Sequence, residues 1–124
     1  MSDHQDSVLV VDDEVLIAHL WCMTLEDMGL KVCGTAATAE NAISMAREHR
    51  PRVVLMDVRL RGALDGVDAA LAIHEQVGSK LVFITGSKEK ATLERIQQDH
   101  PMSVLFKPVS DRLFKAAVKA AMEA

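Results

Sequence analysis

The sequence predicts an α/β fold in which a doubly wound parallel sheet is covered by helices on both faces. The first observation is a set of short, uninterrupted apolar runs, of which residues 8–11 and 53–56 are the clearest. Runs of about four to eight apolar residues bounded by polar ones are typical of strands buried on both faces. The second observation is that these runs alternate with longer amphipathic segments, which favours parallel strands joined by helices in right-handed crossovers.

Five strands and five helices are predicted, with no linker rich in glycine, proline or serine between them. The strands are expected at residues 7–12, 31–36, 52–57, 81–85 and 103–107. The helices are expected at residues 14–28, 39–49, 66–77, 88–99 and 110–122. Strands and helices that alternate in this way predict a three-layer domain.

Several residues mark where the helices begin and end. Gly29 closes the first helix, Pro51 follows the second, and Ser110 is a favoured N-cap for the fifth. The second helix carries a narrow apolar stripe at the spacing that faces a sheet, formed by Ala39, Ala42, Ile43 and Ala46. Only Ala91, Leu93 and Ile96 are apolar in the fourth helix, so we expect it to bury little area and to be loosely held.

Composition and charge narrow the functional classes. A chain of 124 residues suffices for one hydrophobic core, and we expect a single domain over residues 1–124. The net charge of -4 argues against a nucleic-acid or anionic-membrane surface. No apolar run approaches the ~20 residues that span a bilayer, and the polar amino terminus lacks the pattern of a signal peptide. Cys22 and Cys33 are interpreted as free core thiols, and we expect a cytoplasmic protein.

Polar residues at the downstream ends of four predicted strands are the most informative feature of the chain. Asp12 and Asp13 follow the first strand's apolar run, and Asp57 ends the third strand. Thr85 ends the fourth strand, and Lys107 follows the apolar run of the fifth. Ligands of open parallel sheets bind outside the carboxyl ends of the strands. Three carboxylates, a hydroxyl and an ammonium are therefore expected to converge on one crevice.

This set of groups suits the handling of a phosphoryl group. Three carboxylates repel one another, and a hard divalent cation such as Mg²⁺ would relieve that repulsion. Thr85 and Lys107, the latter restricted in direction by Pro108, would be donors to a charged oxyanion, and a carboxylate can be a nucleophile toward phosphorus. Two simpler interpretations stay open. Residues 12–14 can be an acidic turn that caps the first helix, and Lys107 can form a structural ion pair with one aspartate.

Four motifs, in this order and spacing, resemble those of the receiver domain of two-component response regulators over essentially the full chain. They read Val-Val-Asp12-Asp13-Glu14, Leu-Met-Asp57-Val-Arg-Leu, Ile-Thr85-Gly86 and Phe-Lys107-Pro108. The resemblance implies a flavodoxin-like three-layer sandwich with strand order 2-1-3-4-5. It also implies a cis peptide bond between Lys107 and Pro108, which proline permits.

The resemblance implies a magnesium site in the crevice. By position, Asp13, Asp57 and the backbone carbonyl of Arg59 would bind Mg²⁺ directly. Asp12 would hold the metal through a water molecule. We therefore expect Mg²⁺ as the cofactor.

The resemblance also implies how the domain would work. Asp57 would accept a phosphoryl group from a phosphohistidine on a sensor histidine kinase or a histidine phosphotransfer protein, while Thr85 and Lys107 contact the phosphoryl oxygens. The domain would catalyse only its own phosphorylation and dephosphorylation. It would signal to a downstream protein through the fourth helix, fifth strand and fifth helix, as a monomer or weak dimer.

The loop after Asp57 departs from the usual pattern of such domains. Arg61 stands where most members have proline, and the loop has one residue more before Gly66. We expect Gly62 to absorb the extra length. The metal ligand expected at Arg59 lies before this change.

Two further departures concern signalling. Val104 stands where most members have a tyrosine or phenylalanine. In those members the ring rotates as the residue at the position of Thr85 moves toward the phosphoryl group, and Val104 has no ring to rotate. We expect switching to be muted, or to be carried by the loop at residues 86–90. The chain stops at Ala124, directly after the fifth helix, so we expect no output domain.

Parts of the pattern are compatible with other functions. An inert interaction module with a receiver fold would fit Arg61 and Val104, but the complete acidic crevice argues against it. A Mg²⁺-dependent phosphatase with an aspartate nucleophile commonly needs a second acid two residues on, where this chain has Arg59. A flavin or nucleotide site would need a glycine-rich cradle, which is missing. DNA binding would require a further domain.

Overall fold

The computed structural model describes residues 6–86, 88–98 and 101–124. Five strands form one parallel sheet: β1 (Ser7–Val11), β2 (Lys31–Ala36), β3 (Val53–Asp57), β4 (Lys80–Thr85) and β5 (Ser103–Phe106). The helices are α1 (Val15–Asp27), α2 (Ala39–His49), α3 (Gly66–Gln76), α4 (Lys90–Gln98) and α5 (Asp111–Glu123). The strand order is β2-β1-β3-β4-β5, which confirms the predicted fold and topology.

Predicted and observed element bounds differ by two residues at most. The largest difference is at the start of α4, expected at 88 and found at Lys90, and its expected end at 99 lies outside the described residues. Asp12 and Lys107, predicted as strand ends, instead follow β1 and β5. Each still donates one backbone hydrogen bond to the neighbouring strand, Asp12 to Ala36 (3.0 Å) and Lys107 to Thr85 (2.9 Å).

The sheet separates two apolar layers, because successive side chains of a strand point to opposite faces. On one face, alternate residues of the central strands pack against α2 and α3; these strand residues are Leu9, Val11, Val54, Met56, Leu81 and Phe83. On the other face, the intervening residues pack against α1 and α5; these are Val8, Val10, Val53, Leu55, Val82 and Ile84. Both β1 and β3 are buried along their whole length, as their continuous apolar runs predicted.

Local signals place the helix ends. Gly29 follows α1 with φ 81°, a left-handed conformation that glycine adopts without strain. The Thr38 side chain accepts a hydrogen bond from the Asn41 N–H and caps α2. Ser110 caps α5 in the same way, as predicted, by accepting from the Leu113 N–H.

None of the described helices combines the length and apolar character needed to cross a bilayer.

The helix α4 has a small share in the core. Ile96 is its one fully buried residue, while Leu93 is half-buried against the α2–α3 layer. The scarcity of apolar residues in the sequence predicted this limited burial. Polar contacts must therefore supply much of what holds α4 in place.

Candidate functional site

Pairing of the strands brings the predicted polar residues to one edge of the sheet. Asp57 pairs with Ile84, so Thr85 extends one residue beyond it on the adjacent strand. Thr85 in turn pairs with Phe106, which leaves Lys107 one residue further on. Neighbouring strands lie about 4.8 Å apart. Side chains distant in sequence are therefore adjacent here.

A cavity of about 450 Å³ lies at this edge. Its lining consists of Asp13, Glu14, Asp57, Arg59, Thr85, Gly86 and Lys107. Asp12 sits behind these residues and is only 3% exposed. All the predicted site residues thus lie in or against the cavity, and Glu14 and Gly86 join them because they follow Asp13 and Thr85 in the chain.

Three carboxylates form an acidic cluster that fits a divalent cation. One oxygen each from Asp12, Asp13 and Asp57 lies within 4.8 Å of the others. Asp12 and Asp57 are buried, while Asp13 is half-buried. Charged oxygens at this separation repel strongly where solvent is scarce. An oxygen-only donor set with room for water is what Mg²⁺ prefers.

The hydrogen bonding of Asp12 tests the alternative of a simple helix-capping turn. Its Oδ1 accepts a hydrogen bond from the Glu14 N–H at 2.8 Å. Its Oδ2 is buried and accepts no hydrogen bond from the described part of the chain. Glu14, the N-cap of α1, makes no capping hydrogen bond with its own side chain. A local turn therefore accounts for one oxygen of Asp12, and the second lies 3.8 Å from the Lys107 ammonium.

Lys107 supplies the positive charge that contacts the buried aspartates. Its Nζ lies 3.4 Å from Asp57 Oδ1 and 3.8 Å from Asp12 Oδ2. The Lys107–Pro108 peptide bond is cis, as the resemblance implied. The predicted ion pair thus exists and involves both buried aspartates. It lies in the open mouth of the cavity, because 30% of the lysine side chain is exposed.

Burial and mutual repulsion shift the titration of the two buried carboxyls. Burial, with the charge of Asp12 as the next cause, raises the pKa of Asp57 from 3.8 to about 6, although Lys107 acts to lower it. Burial also raises the pKa of Asp12. Asp57 is consequently ionised at neutral pH and easily protonated just below it. Perturbed carboxyls in a cavity are typical of functional sites.

Gly66 sets the position of the loop that carries Asp57. Its N–H donates a 2.7 Å hydrogen bond to the Val58 carbonyl. A Cβ at this position would lie 2.0 Å from the Asp57 carbonyl oxygen. The helix α3 can therefore approach the end of β3 this closely only because residue 66 lacks a side chain.

The long loop between β3 and α3 adapts through Gly62. This glycine has φ 101°, so the predicted place for the extra residue is a left-handed turn. Arg61 forms an isolated parallel bridge with Thr38, at the start of α2. At the other side of the site, Val104 is half-buried and packs against the α2–α3 layer.

Trp21 contacts the site although the sequence alone does not decide whether it lies in the core or on the surface. Its ring lies beneath Lys107 Nζ, 5.8 Å from the ring centroid. A partial signal was available, because Ala18, Trp21 and Leu25 share one helical stripe. The stripe predicts a face toward the core, but it does not indicate which residue of β5 or its loop the ring would meet.

Comparison with known proteins agrees with this geometry. Residues 8–119 match the family profile of the response regulator receiver domain. The transcriptional regulatory protein PdtaR of Mycobacterium tuberculosis is 32% identical over 103 residues, which cover 83% of this chain and 50% of that protein. The response regulator GacA of Pseudomonas aeruginosa is 38% identical over 93 residues, which cover 73% and 43%. The chain thus spans about half the length of these relatives.

Solved structures show the same fold. The signal receiver domain of a modulated diguanylate cyclase from Desulfovibrio desulfuricans superposes with a TM-score of 0.88 at 32% identity, covering 94% of this chain and 93% of that one. A CheY-like receiver domain protein from Methanospirillum hungatei, at 22% identity, shares the fold with a TM-score of 0.87 over 95% and 94% of the two chains. With the profile match over most of its length, the chain belongs to the receiver domain family of two-component response regulators.

Proposed function

We propose that this receiver domain accepts a phosphoryl group on Asp57 from a phosphohistidine of a sensor histidine kinase or histidine phosphotransfer protein. The observation that carries the proposal is the contact of Lys107 Nζ with Asp57 Oδ1, at 3.4 Å, inside a cluster of three carboxylates. A buried nucleophile beside a cation and a cation-binding cluster suits phosphoryl transfer, which requires mainly positioning and charge neutralisation.

The proposed transfer is a single displacement at phosphorus, in which one bond forms as another breaks. A carboxylate oxygen of Asp57 attacks phosphorus, and the bond from phosphorus to the donor's imidazole nitrogen breaks. That nitrogen keeps the electron pair and takes up a proton from solvent. Asp57 then carries a mixed anhydride. Lys107 Nζ and the Thr85 hydroxyl would contact the phosphoryl oxygens, since both groups line the cavity.

The acidic cluster would hold Mg²⁺ in this reaction. Asp13, Asp57 and the backbone carbonyl of Arg59 would be direct ligands, and Asp12 would act through water. Bound there, the ion supplies neutralisation of the charge that the carboxylates and the phosphoryl group bring together. The Oδ2 of Asp12 accepts no hydrogen bond within the described residues, and burial raises the pKa of Asp57. Both observations support this assignment, because they indicate negative charge that the single Lys107 ammonium stabilises only in part.

The phosphorylated domain would signal by protein–protein contact through α4, β5 and α5. Phe106 at the end of β5 supports this face, since it is 38% exposed and lies under the ammonium of Lys88, 5.4 Å from the ring centroid. Cytoplasmic localisation and a monomer or weak dimer stay predictions. Rapid return of the phosphoryl group to a histidine donor would identify a relay intermediate rather than a terminal switch.

Acetyl phosphate and Mg²⁺ provide the first test. The parent and Asp57→Asn are incubated with both, and the intact masses are compared. We expect the parent to gain one phosphoryl group and the variant none, because the amide is a poor nucleophile. Equal labelling of the variant would contradict Asp57 as the acceptor. No labelling of the parent, by acetyl phosphate or by phosphorylated histidine kinases, would favour an inert interaction module.

A further inference from the structure

The ammonium of Lys107 has a third neighbour besides the two buried aspartates. Its Nζ lies over the face of the Trp21 ring, 5.8 Å from the centroid. A cation within about 6 Å of an indole face is attracted by the ring quadrupole, and tryptophan gives the strongest such contact among the aromatic residues. The lysine is therefore held between negative carboxylates on one side and a negative ring face on the other.

The Trp21 ring is held in place independently of the lysine. It stacks on Phe114 of α5, with ring centroids 6.1 Å apart and an interplanar angle of 30°. Phe114 is only 4% exposed and belongs to the core layer against which Trp21 packs. Stacked rings at this separation add to the stability of the packing. Packing thus fixes the position of the indole, whereas the lysine side chain can move.

A fixed neighbour restrains Lys107, whose own side chain is flexible. Four rotatable bonds give lysine about 2 kcal/mol of rotamer entropy. The side chain lines two cavities, one containing the acidic site and one formed with Trp21, Pro108 and Val109. Turning into the second cavity would remove the ammonium from Asp57. Trp21 lines this second cavity, and its ring face meets the ammonium while the ammonium still contacts Asp57.

We propose that Trp21 is a positioning residue for phosphoryl transfer, whose ring face holds the Lys107 ammonium at the mouth of the acidic site. The inference rests on the proposed function, because the step it assists is the meeting of Lys107 with the incoming phosphoryl oxygens. A cation already near its working place makes this encounter less demanding. Trp21 itself touches neither donor nor acceptor.

A role in positioning differs from a role in filling space. Phenylalanine keeps an aromatic face with a weaker attraction for cations, whereas leucine keeps apolar bulk without any such face. We expect the rate constant of phosphorylation by acetyl phosphate to fall in the order parent, Trp21→Phe, Trp21→Leu, by about three- to tenfold in total, which corresponds to the strength of one such contact. The matched control is Leu30→Ala, which weakens the same core layer away from Lys107.

A second measurement reads the contact without any turnover. The chain has one tryptophan and no tyrosine, so its intrinsic emission reports on Trp21 alone. We expect beryllium fluoride with Mg²⁺, a stable mimic of the phosphoryl group, to change this emission as Lys107 is drawn toward Asp57. In Lys107→Met, which is similar in length and uncharged, the emission should differ from that of the parent before any mimic is added, because no cation lies over the ring.

The outcomes separate this inference from the proposed function. A parent that is phosphorylated on Asp57, with Trp21→Leu reacting as fast, would leave the function standing and overturn the role of Trp21. Rates that follow stability alone, with Leu30→Ala as slow as Trp21→Leu, would also overturn it. An emission of Lys107→Met equal to that of the parent before the mimic is added would do the same. A parent that no donor phosphorylates contradicts the proposed function and removes the reaction that Trp21 was inferred to assist.

Discussion

Arg95 of α4 holds Asp65, the N-cap of α3, through a two-pronged ion pair. Its Nη1 and Nη2 donate to Asp65 Oδ2 at 2.8 Å and Oδ1 at 3.1 Å, and Nη2 also donates to Asp68 at 3.3 Å. Burial by itself would raise the pKa of Asp65, but the hydrogen bonds from Arg95 and from the Asp68 backbone hold that pKa below its ordinary value. The helix with the smallest buried share is thus tied to the loop that follows the candidate acceptor.

Removal of the Arg95–Asp65 ion pair should increase local opening of α4 more than it lowers the stability of the whole domain. We expect Arg95→Ala to lower the free energy of unfolding by about 0.5–1 kcal/mol, the usual range for partly exposed pairs. Backbone amides of α4 should exchange hydrogen faster, because only Ile96 and the half-buried Leu93 anchor the helix in the core. Hydrogen exchange read by mass spectrometry measures both effects.

A matched control for Arg95→Ala is Lys115→Ala on α5. This change removes the pair that Lys115 forms with Asp111 at 2.9 Å, which joins residues of one helix. We expect a loss of about 0.3–0.5 kcal/mol and no change in the exchange of α4. Equal exchange of α4 in Arg95→Ala and the parent would show that the ion pair does not restrain the helix.

The raised pKa of Asp57 predicts that its ionisation destabilises the metal-free fold. The unfolded carboxyl has a pKa of 3.8 and the folded one about 6, so the folded state binds more protons between these values. Stability should therefore fall as pH rises through the folded pKa. Asp57→Asn removes this charge. We expect the variant to be more stable than the parent by about 1–3 kcal/mol at neutral pH, and similar to it near pH 4.

Urea denaturation in the presence of a chelator, repeated from about pH 4 to pH 8, measures this difference. The control is Glu75→Gln, an exposed acid on α3 at the opposite edge of the sheet. Its stability difference from the parent should be small at every pH. A variant Asp57→Asn that is less stable than the parent at pH 7 would mean that Lys107 compensates fully for burial of the aspartate.

Binding of Mg²⁺ should reverse the destabilisation that ionised Asp57 causes in the metal-free fold. A saturating cation stabilises the folded state by about 2.7 kcal/mol when its concentration is a hundred times the dissociation constant. We expect this increase in thermal stability in the parent and in Glu75→Gln. Asp13→Asn should lose most of it, because one of the three clustered carboxylates is gone. A rise in Tm of equal size in Asp13→Asn would exclude that carboxylate as a ligand.

Gly66→Ala should damage the fold and the site together. The new Cβ would fall 2.0 Å from the Asp57 carbonyl oxygen, so either α3 or the end of β3 must shift. Overpacking of this kind costs about 1–3 kcal/mol, and more where backbone must move. Gly86→Ala is the control, since a Cβ there meets nothing within 4 Å. Urea denaturation compares the two, and a nearly neutral Gly66→Ala would mean that the loop relaxes freely.

Sequence reasoning predicted the elements well where a single local signal was strong. The apolar runs of β1 and β3 and the Ser110 cap are of this kind, because burial on both faces and capping leave their marks within a few residues. The start of α4 was predicted two residues early. There the exposed Lys88 and Glu89 carry helix-favouring side chains, but the helix begins only at Lys90.

In and around the candidate site, too, some features were predicted from local signals and others were not. Asp57, Thr85 and Lys107 were predicted from their places after apolar runs, because parallel strands align their carboxyl ends. The polar contacts of α4 were not predicted. Arg95 lies 30 residues from Asp65, and nothing local indicates that these side chains meet.

The sequence by itself determined the layers, the strand edge and the chemical groups that stand at that edge, because these follow from periodicity and from residues next to each other in the chain. Tertiary structure decided how far those groups are from one another and how much water surrounds them. Burial raises the pKa of Asp57, and packing of α5 against α1 sets Trp21 beneath Lys107. Such effects depend on distance and on solvent exclusion, which only the folded chain fixes.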